Sequence, residues 1–153
     1  MHKRRRACRH LVCGYSNIVA MTLRRTGRLL IVDDDEGVTQ TFAGILRLEG
    51  HQVRAAANAF EGLREFESFH PDAIILDLRM PLINGLGFLY RLRTYSGGQN
   101  IPVAIITGDC SLDEESMTEL RALGAEIWMK PLWTEDVIGI ADTLLTRTEG
   151  YSH

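Results

Sequence analysis

The sequence predicts a three-layer α/β domain built on five parallel strands, and three observations carry that prediction. Short apolar runs alternate five times with segments of helical periodicity between Leu29 and Leu145. The run Ala73 to Leu76 is too apolar to have a wet face and leads straight into one carboxylate, Asp77, which suits a central parallel strand covered on both sides. The connections are short, and right-handed crossovers between parallel strands then put helices on both faces of the sheet.

Taken in order, Leu29–Val32 is the first strand and ends in Asp33-Asp34-Asp35-Glu36. Asp35 and Glu36 read as acids decorating a helix N-terminus. Val38, Phe42, Ile45 and Leu46 repeat at i, i+4, i+7 and i+8, one face of an amphipathic helix, and Gly50 ends it. His51–Ala55 is a short second strand, and Phe60, Leu63 and Phe66 or Glu67 mark a second helix. Ala73–Leu76 is the third strand, which Pro81 stops because it has no N–H and restricts the residue before it. Leu86, Leu89 and Leu92 or Arg93 place a third helix, and Ser96-Gly97-Gly98-Gln99-Asn100 is a loop by composition. Pro102–Ile106 is the fourth strand, with proline tolerated at its first position. Ser111-x-x-Glu114 reads as a capping box opening a helix with Met117, Leu120 and Leu123 on its inner side. Ala125–Met129 is the fifth strand. Thr134-Glu135-Asp136 then opens a last helix that buries Val137, Ile140, Ala141, Leu144 and Leu145. Trp128 and Trp133 read as packing residues.

At 153 residues the chain holds one domain's worth of core, with 45% apolar and 24% charged residues. Its net charge of −3 conceals an asymmetry. Residues 1–26 contain Lys3, Arg4, Arg5, Arg6, Arg9, Arg24 and Arg25 and no acid. The other ten basic side chains and all twenty acidic ones lie in residues 27–153, a net of −10. An acidic body does not bind nucleic acid by itself. Residues 1–26 read as a basic, flexible extension, with Met21 an alternative start. Residues 27–148 are the domain, and 149–153 a C-terminal tail. A basic cluster at the start resembles a secretion signal, but Gly14, Tyr15, Ser16 and Asn17 interrupt the apolar stretch after it. Cys8, Cys13 and Cys110 give an odd count that fits a reducing compartment. Cys8, His10 and Cys13 match no common zinc spacing, and nothing marks Cys110 as reactive. No apolar run approaches the ~20 residues of a membrane span, so the expected location is cytoplasmic.

Polar residues fall at the carboxyl ends of four of the five strands: Asp33 and Asp34, Asp77, Thr107 and Lys130. In a parallel sheet these ends share one edge, where open α/β sheets bind ligands, so groups about 100 positions apart converge. Two like charges ~4 Å apart repel by about 4 kcal/mol at an effective dielectric near 20. Three carboxylates in one hollow therefore take up protons or a cation, and an all-oxygen site suits Mg²⁺. A carboxylate is also a competent nucleophile toward phosphorus. Lys130 supplies a cation and Thr107 a hydroxyl for the transferred group, whose charge spreads over three oxygens.

Residues about 28–148 resemble the receiver domain of two-component response regulators. The matching motifs are Leu-Ile-Val-Asp-Asp-Asp (30–35), Ile-Leu-Asp-Leu-Arg-Met-Pro (75–81), Ile-Ile-Thr-Gly (105–108) and Lys130-Pro131. The resemblance implies a flavodoxin-like sheet of strand order 2-1-3-4-5, Asp77 as phosphoacceptor, and Mg²⁺ held by Asp33, Asp34, Asp77 and the backbone carbonyl of Arg79. It implies that Thr107 and Lys130 contact the phosphoryl group and that the Lys130–Pro131 peptide is cis. The implied donor is a sensor histidine kinase or histidine phosphotransfer protein. The implied output is contact with a downstream protein or onward relay of the phosphoryl group, and the face of the fourth helix, fifth strand and fifth helix offers a surface for a homodimer. Because the chain ends soon after the fifth helix, it reads as a stand-alone receiver, a signalling module rather than an enzyme.

One departure bears on switching. The family carries an aromatic three residues before the lysine, whereas this chain has Ile127 there and Trp128 one later, on the opposite side of a strand. Arg79 and Asp109 occupy the positions flanking the water path in this family, which suggests a pair across the pocket mouth. Two rivals remain. A haloacid-dehalogenase-like phosphatase would use Asp33-x-Asp35 and leave Asp77 without a task; a degenerate receiver would bind partners without phosphorylation.

Overall fold

The computed structural model describes residues 25–148. Five strands, β1 (Arg28–Val32), β2 (Gln52–Ala56), β3 (Ala73–Asp77), β4 (Val103–Thr107) and β5 (Ala125–Met129), alternate with five helices. These are α1 (Glu36–Leu48), α2 (Ala59–Phe69), α3 (Gly85–Leu92), α4 (Glu114–Ala122) and α5 (Thr134–Arg147). The strands form one sheet of order β2-β1-β3-β4-β5, every pair parallel, the flavodoxin-like order expected.

Side-chain alternation sorts the sheet into two cores. Leu30, Val32, Ile74, Leu76, Val103 and Ile105 pack under α2, α3 and α4 through Leu63, Phe66, Phe88, Leu89, Leu92 and Leu120. Their neighbours Leu29, Ile31, Ile75, Ala104 and Ile106 pack under α1 and α5 through Ala43, Leu46, Val137, Ile140 and Leu144. Ile127 leans on the first core and Trp128 on the second, as the strand parity requires. Gly62 lets α2 lie close: a Cβ there would meet Phe88 Cε2 at 2.8 Å and Val32 Cγ2 at 3.0 Å.

Several local expectations need correction. The buried stripe of α1 is Thr39, Ala43 and Leu46, with Phe42 and Ile45 only half-buried at its margin. Small Ala43 allows close approach to the sheet, and Thr39 satisfies its hydroxyl on the Glu36 carbonyl at 2.9 Å. Phe60 is exposed, with the Arg91 guanidinium 5.7 Å from its ring centroid. The cap of α4 is Asp113, whose Oδ1 accepts from Ser116 N at 2.7 Å; Ser111 instead bonds Asp109. Trp133 is 71% exposed and packs little. It occupies the α5 cap position, where its backbone N–H donates to Asp136 Oδ2 at 2.8 Å. β3 stops at Asp77, four residues before Pro81, where the Gly85 N–H to Leu78 carbonyl bond of 2.8 Å folds the chain back. The Lys130–Pro131 peptide is cis, as expected. No helix among the described residues is long and apolar enough to cross a membrane. The expectations for residues 1–24, including Met21, Cys8 and Cys13, and for 149–153 lie outside the described residues.

Candidate functional site

Parallel pairing decides what meets at the carboxyl edge of the sheet. Val32 is in register with Leu76, so Asp33, one residue beyond β1, lies beside Asp77 at the end of β3. Asp77 pairs in turn with Ile106, and the Lys130 N–H donates to the Thr107 carbonyl at 2.8 Å, which brings β5's last turn to the same edge. Carboxylate oxygens of Asp33, Asp34 and Asp77 all lie within 4.8 Å of one another. Lys130 Nζ is 3.4 Å from Asp77 Oδ1. Four of the sequence-predicted side chains are thus together.

Asp33 is 6% exposed and Asp77 7% exposed, and burial without full hydration disfavours their charged forms. The Asp33 carboxyl is pushed up to about 6, first by burial and then by the Asp77 charge, against the Asp35 N–H and Lys130. Burial also raises Asp77, opposed by the charge and hydrogen bond of Lys130 and by the Arg79 backbone N–H. Three crowded carboxylates, two of them held at a cost in their ionised form, fit an oxygen-preferring divalent cation.

That electrostatic cost is measurable. Asp33→Asn is expected to stabilise the metal-free protein by about 1–2 kcal/mol at pH 7.5, since one pKa unit corresponds to about 1.4 kcal/mol and asparagine has its own desolvation cost. A raised folded-state pKa destabilises above about 6, and the penalty disappears as pH falls to the unfolded value near 3.8. The gain should therefore shrink between pH 6.5 and 4; chelator-treated samples melted across that range test it, and a pH-independent difference would contradict it.

Thr107 sits at the same edge, 1% exposed, but its hydroxyl accepts the Asp109 N–H at 3.0 Å, within its own loop. The expected Arg79–Asp109 pair is present, Arg79 Nη2 donating to Asp109 Oδ2. Asp109 Oδ1 accepts from Ser111 N at 2.9 Å and Ser111 Oγ at 2.5 Å. Ser111 first and Arg79 next hold the Asp109 carboxyl down to about 2. Asp35 caps α1, its Oδ1 accepting from Val38 N at 3.1 Å.

Two features of the site were not anticipated. Gly85 lies against the β3 terminus, where a Cβ would stand 2.7 Å from the Asp77 carbonyl oxygen and 2.9 Å from Leu78 Cα. The glycine four residues after Pro81, at the head of a helix, was the available signal. Ser111 as the second hydrogen-bond partner of Asp109 had none, because a serine in a polar loop has many partners open to it.

Comparison with known proteins agrees with the geometry. A sequence model described as the response regulator receiver domain matches residues 29–140. The transcriptional regulatory protein PrrA of Mycobacterium tuberculosis is 32% identical over 120 residues, covering 78% of this chain and 50% of PrrA. The response regulator MprA of Mycobacterium avium is 33% identical over 122 residues, covering 80% and 52%. The chain spans about half the length of these curated relatives. Among solved structures, chemotaxis protein CheY4 of Vibrio cholerae aligns with a TM-score of 0.72 and 28% identity, over 79% of this chain and all of CheY4. A CheY-like receiver domain protein of Methanospirillum hungatei gives 0.74 and 28%, over 82% and 98%. The carboxylate cluster at the strand ends, the lysine facing it and these matches together place the chain in the family of response regulator receiver domains.

Proposed function

We propose that this domain is a phosphorylation-dependent signalling module in which Asp77 accepts a phosphoryl group from a phosphohistidine on a sensor kinase or phosphotransfer protein. The observation that carries the reading is the juxtaposition of Asp77 with two further carboxylates and with Lys130 at 3.4 Å. Asp33, Asp34, Asp77 and the Arg79 carbonyl are the proposed holders of Mg²⁺. Bound there, the ion would neutralise the acids and the incoming phosphoryl oxygens.

In the proposed transfer an Asp77 carboxylate oxygen attacks phosphorus, the P–N bond breaks, and its electron pair stays on the donor imidazole. Lys130 favours the ionised form of the carboxylate against its burial and stands close enough to balance the charge of the transferred group afterwards. For the switch, the Thr107 hydroxyl leaves the Asp109 N–H and turns to a phosphoryl oxygen, exchanging one hydrogen bond worth about 1 kcal/mol net for a charge-assisted one. A clean switch from 1:99 to 99:1 needs about 5.5 kcal/mol, so contacts beyond that exchange must contribute. With Ile127 in the first core and Trp128 in the second, no aromatic at position 127 follows the hydroxyl inward. The proposed output is protein contact, through the face of α4, β5 and α5 or by onward relay. A cytoplasmic setting accompanies this reading.

Incubation with a small phosphodonor tests it: phosphoryl uptake should require Mg²⁺ and stop with a chelator, and metal-independent uptake would contradict it. The Arg79–Asp109 pair covers the approach of water to the phosphoryl group. Arg79→Ala should therefore shorten the lifetime of phosphorylated protein severalfold, followed as decay of the phosphorylated mass; an unchanged lifetime would refute the screening role.

A further inference from the structure

The ion pair at the pocket mouth is unequal: the Arg79 side chain is 72% exposed and that of Asp109 19%. An exposed pair contributes little when both side chains must be held in one geometry, so a pair that stays over the mouth needs one partner fixed beforehand. Asp109 is that partner. Its N–H donates to Thr107 Oγ1 at 3.0 Å. Its Oδ1 accepts from Ser111 N at 2.9 Å and from Ser111 Oγ at 2.5 Å, which leaves Oδ2 for Arg79.

Ser111 is itself exposed, but the chain beyond it is tied down. Leu112 packs against the first core, and Asp113 caps α4 by accepting from Ser116 N at 2.7 Å. Because the cap is Asp113, the Ser111 hydroxyl is available to Asp109. The proposed switch then increases the weight that Ser111 carries. When the Thr107 hydroxyl turns to a phosphoryl oxygen it gives up the Asp109 N–H, and the two Ser111 bonds are what still orient the Asp109 carboxylate toward Arg79.

We propose that Ser111 is a positioning residue for the phosphorylated state: by gripping Asp109 Oδ1 through its N–H and its hydroxyl, it keeps the Arg79 guanidinium over the pocket mouth after Thr107 has turned away, and so lengthens the life of the phosphate on Asp77. Hydrolysis forms a bond from a water oxygen to phosphorus and breaks the bond from phosphorus to the Asp77 oxygen. The electron pair returns to the Asp77 carboxylate, and the water's protons pass to the inorganic phosphate and solvent. Ser111 touches none of these atoms; it acts through Asp109 and Arg79. The effect on lifetime rests on the phosphoryl-transfer reading, whereas the hold on Arg79 does not.

The test follows decay of the phosphorylated mass, after removal of a small phosphodonor, in the full chain and in Ser111→Ala, Ser111→Thr, Arg79→Ala and the Arg79→Ala, Ser111→Ala double variant. Ser111→Ala should shorten the lifetime severalfold, and Ser111→Thr, which keeps the hydroxyl, should restore it. In the Arg79→Ala background the loss of Ser111 should change nothing further, since its effect runs through Arg79. An unchanged lifetime for Ser111→Ala, no rescue by threonine, or an additive loss in the double variant would overturn the proposal. A second arm needs no phosphate. In Thr107→Val, where the hydroxyl that receives the Asp109 N–H is gone, ¹⁵N relaxation of Arg79 Nε should show a restrained side chain that becomes mobile when Ser111→Ala is added. Equal mobility in those two proteins would also overturn the proposal. If Arg79 is released as expected but no protein takes up a phosphoryl group, the hold on Arg79 stands and the phosphoryl-transfer reading fails.

Discussion

Replacing Lys130 with methionine is expected to slow phosphoryl uptake by on the order of 10²–10³-fold, the usual cost of removing one preorganised charge stabiliser from a site of this kind. Methionine keeps the length of the side chain and deletes the charge 3.4 Å from Asp77 Oδ1. Two effects then add. Asp77 loses the cation that opposes its burial, so its carboxyl titrates higher still. The charge of the transferred group also loses its partner. Lys130→Arg should recover only part of the rate, since a planar guanidinium does not reproduce a compact ammonium. Uptake rates from a small phosphodonor, with the Asp77 titration followed by carboxyl NMR, check both effects. A methionine variant within twofold of wild type would contradict this role for Lys130.

Phe88→Ala is expected to destabilise the domain by about 3–5 kcal/mol, the range for emptying a large buried aromatic site. Phe88 is fully buried, and its ring edge occupies the space that a Cβ on Gly62 would enter. It therefore ties α3 to α2 and, through Val32, to the strand that delivers Asp33. Gly62→Ala should also destabilise, because Phe88 Cε2 and Val32 Cγ2 would both have to shift. Phe88→Leu in that background should recover part of the loss, whereas Phe88→Leu alone costs stability. Urea unfolding measures all four proteins. A loss below 1 kcal/mol for Phe88→Ala would show that the α2–α3 layer collapses onto the vacancy and that the packing described here is not what holds it.

The strands and the acid-bearing edge were legible in the sequence because both obey short-range rules. Ile74-Ile75-Leu76 admits no wet face, and a parallel sheet must bring the ends of such strands together. Helix faces were less legible. The choice between Val38 and Thr39 on α1 depended on a hydroxyl finding the Glu36 carbonyl, which hydrophobic periodicity does not register. The α4 cap was ambiguous, because Ser111 and Asp113 are both good capping residues two positions apart and the choice was settled by Asp109 taking Ser111. Trp133 was expected inside on apolar area alone, yet it follows the cis Lys130–Pro131 bond at the start of α5 and faces solvent. In the site, the positions of Asp33, Asp34, Asp77 and Lys130 followed from strand ends. The hydroxyl of Thr107 did not, because its direction is set by a loop contact two residues on.

The most direct measurement is the location of the phosphoryl group. Wild type, Asp77→Asn, Asp33→Asn and Asp34→Asn are each incubated with Mg²⁺ and a small phosphodonor, then examined by intact mass and by mapping of the modified peptide. The account predicts one phosphoryl increment on wild type, carried by Asp77, none on Asp77→Asn, and strongly reduced uptake on the Asp33 and Asp34 variants. A phosphoryl group on any other side chain, or undiminished uptake by Asp77→Asn, would contradict it.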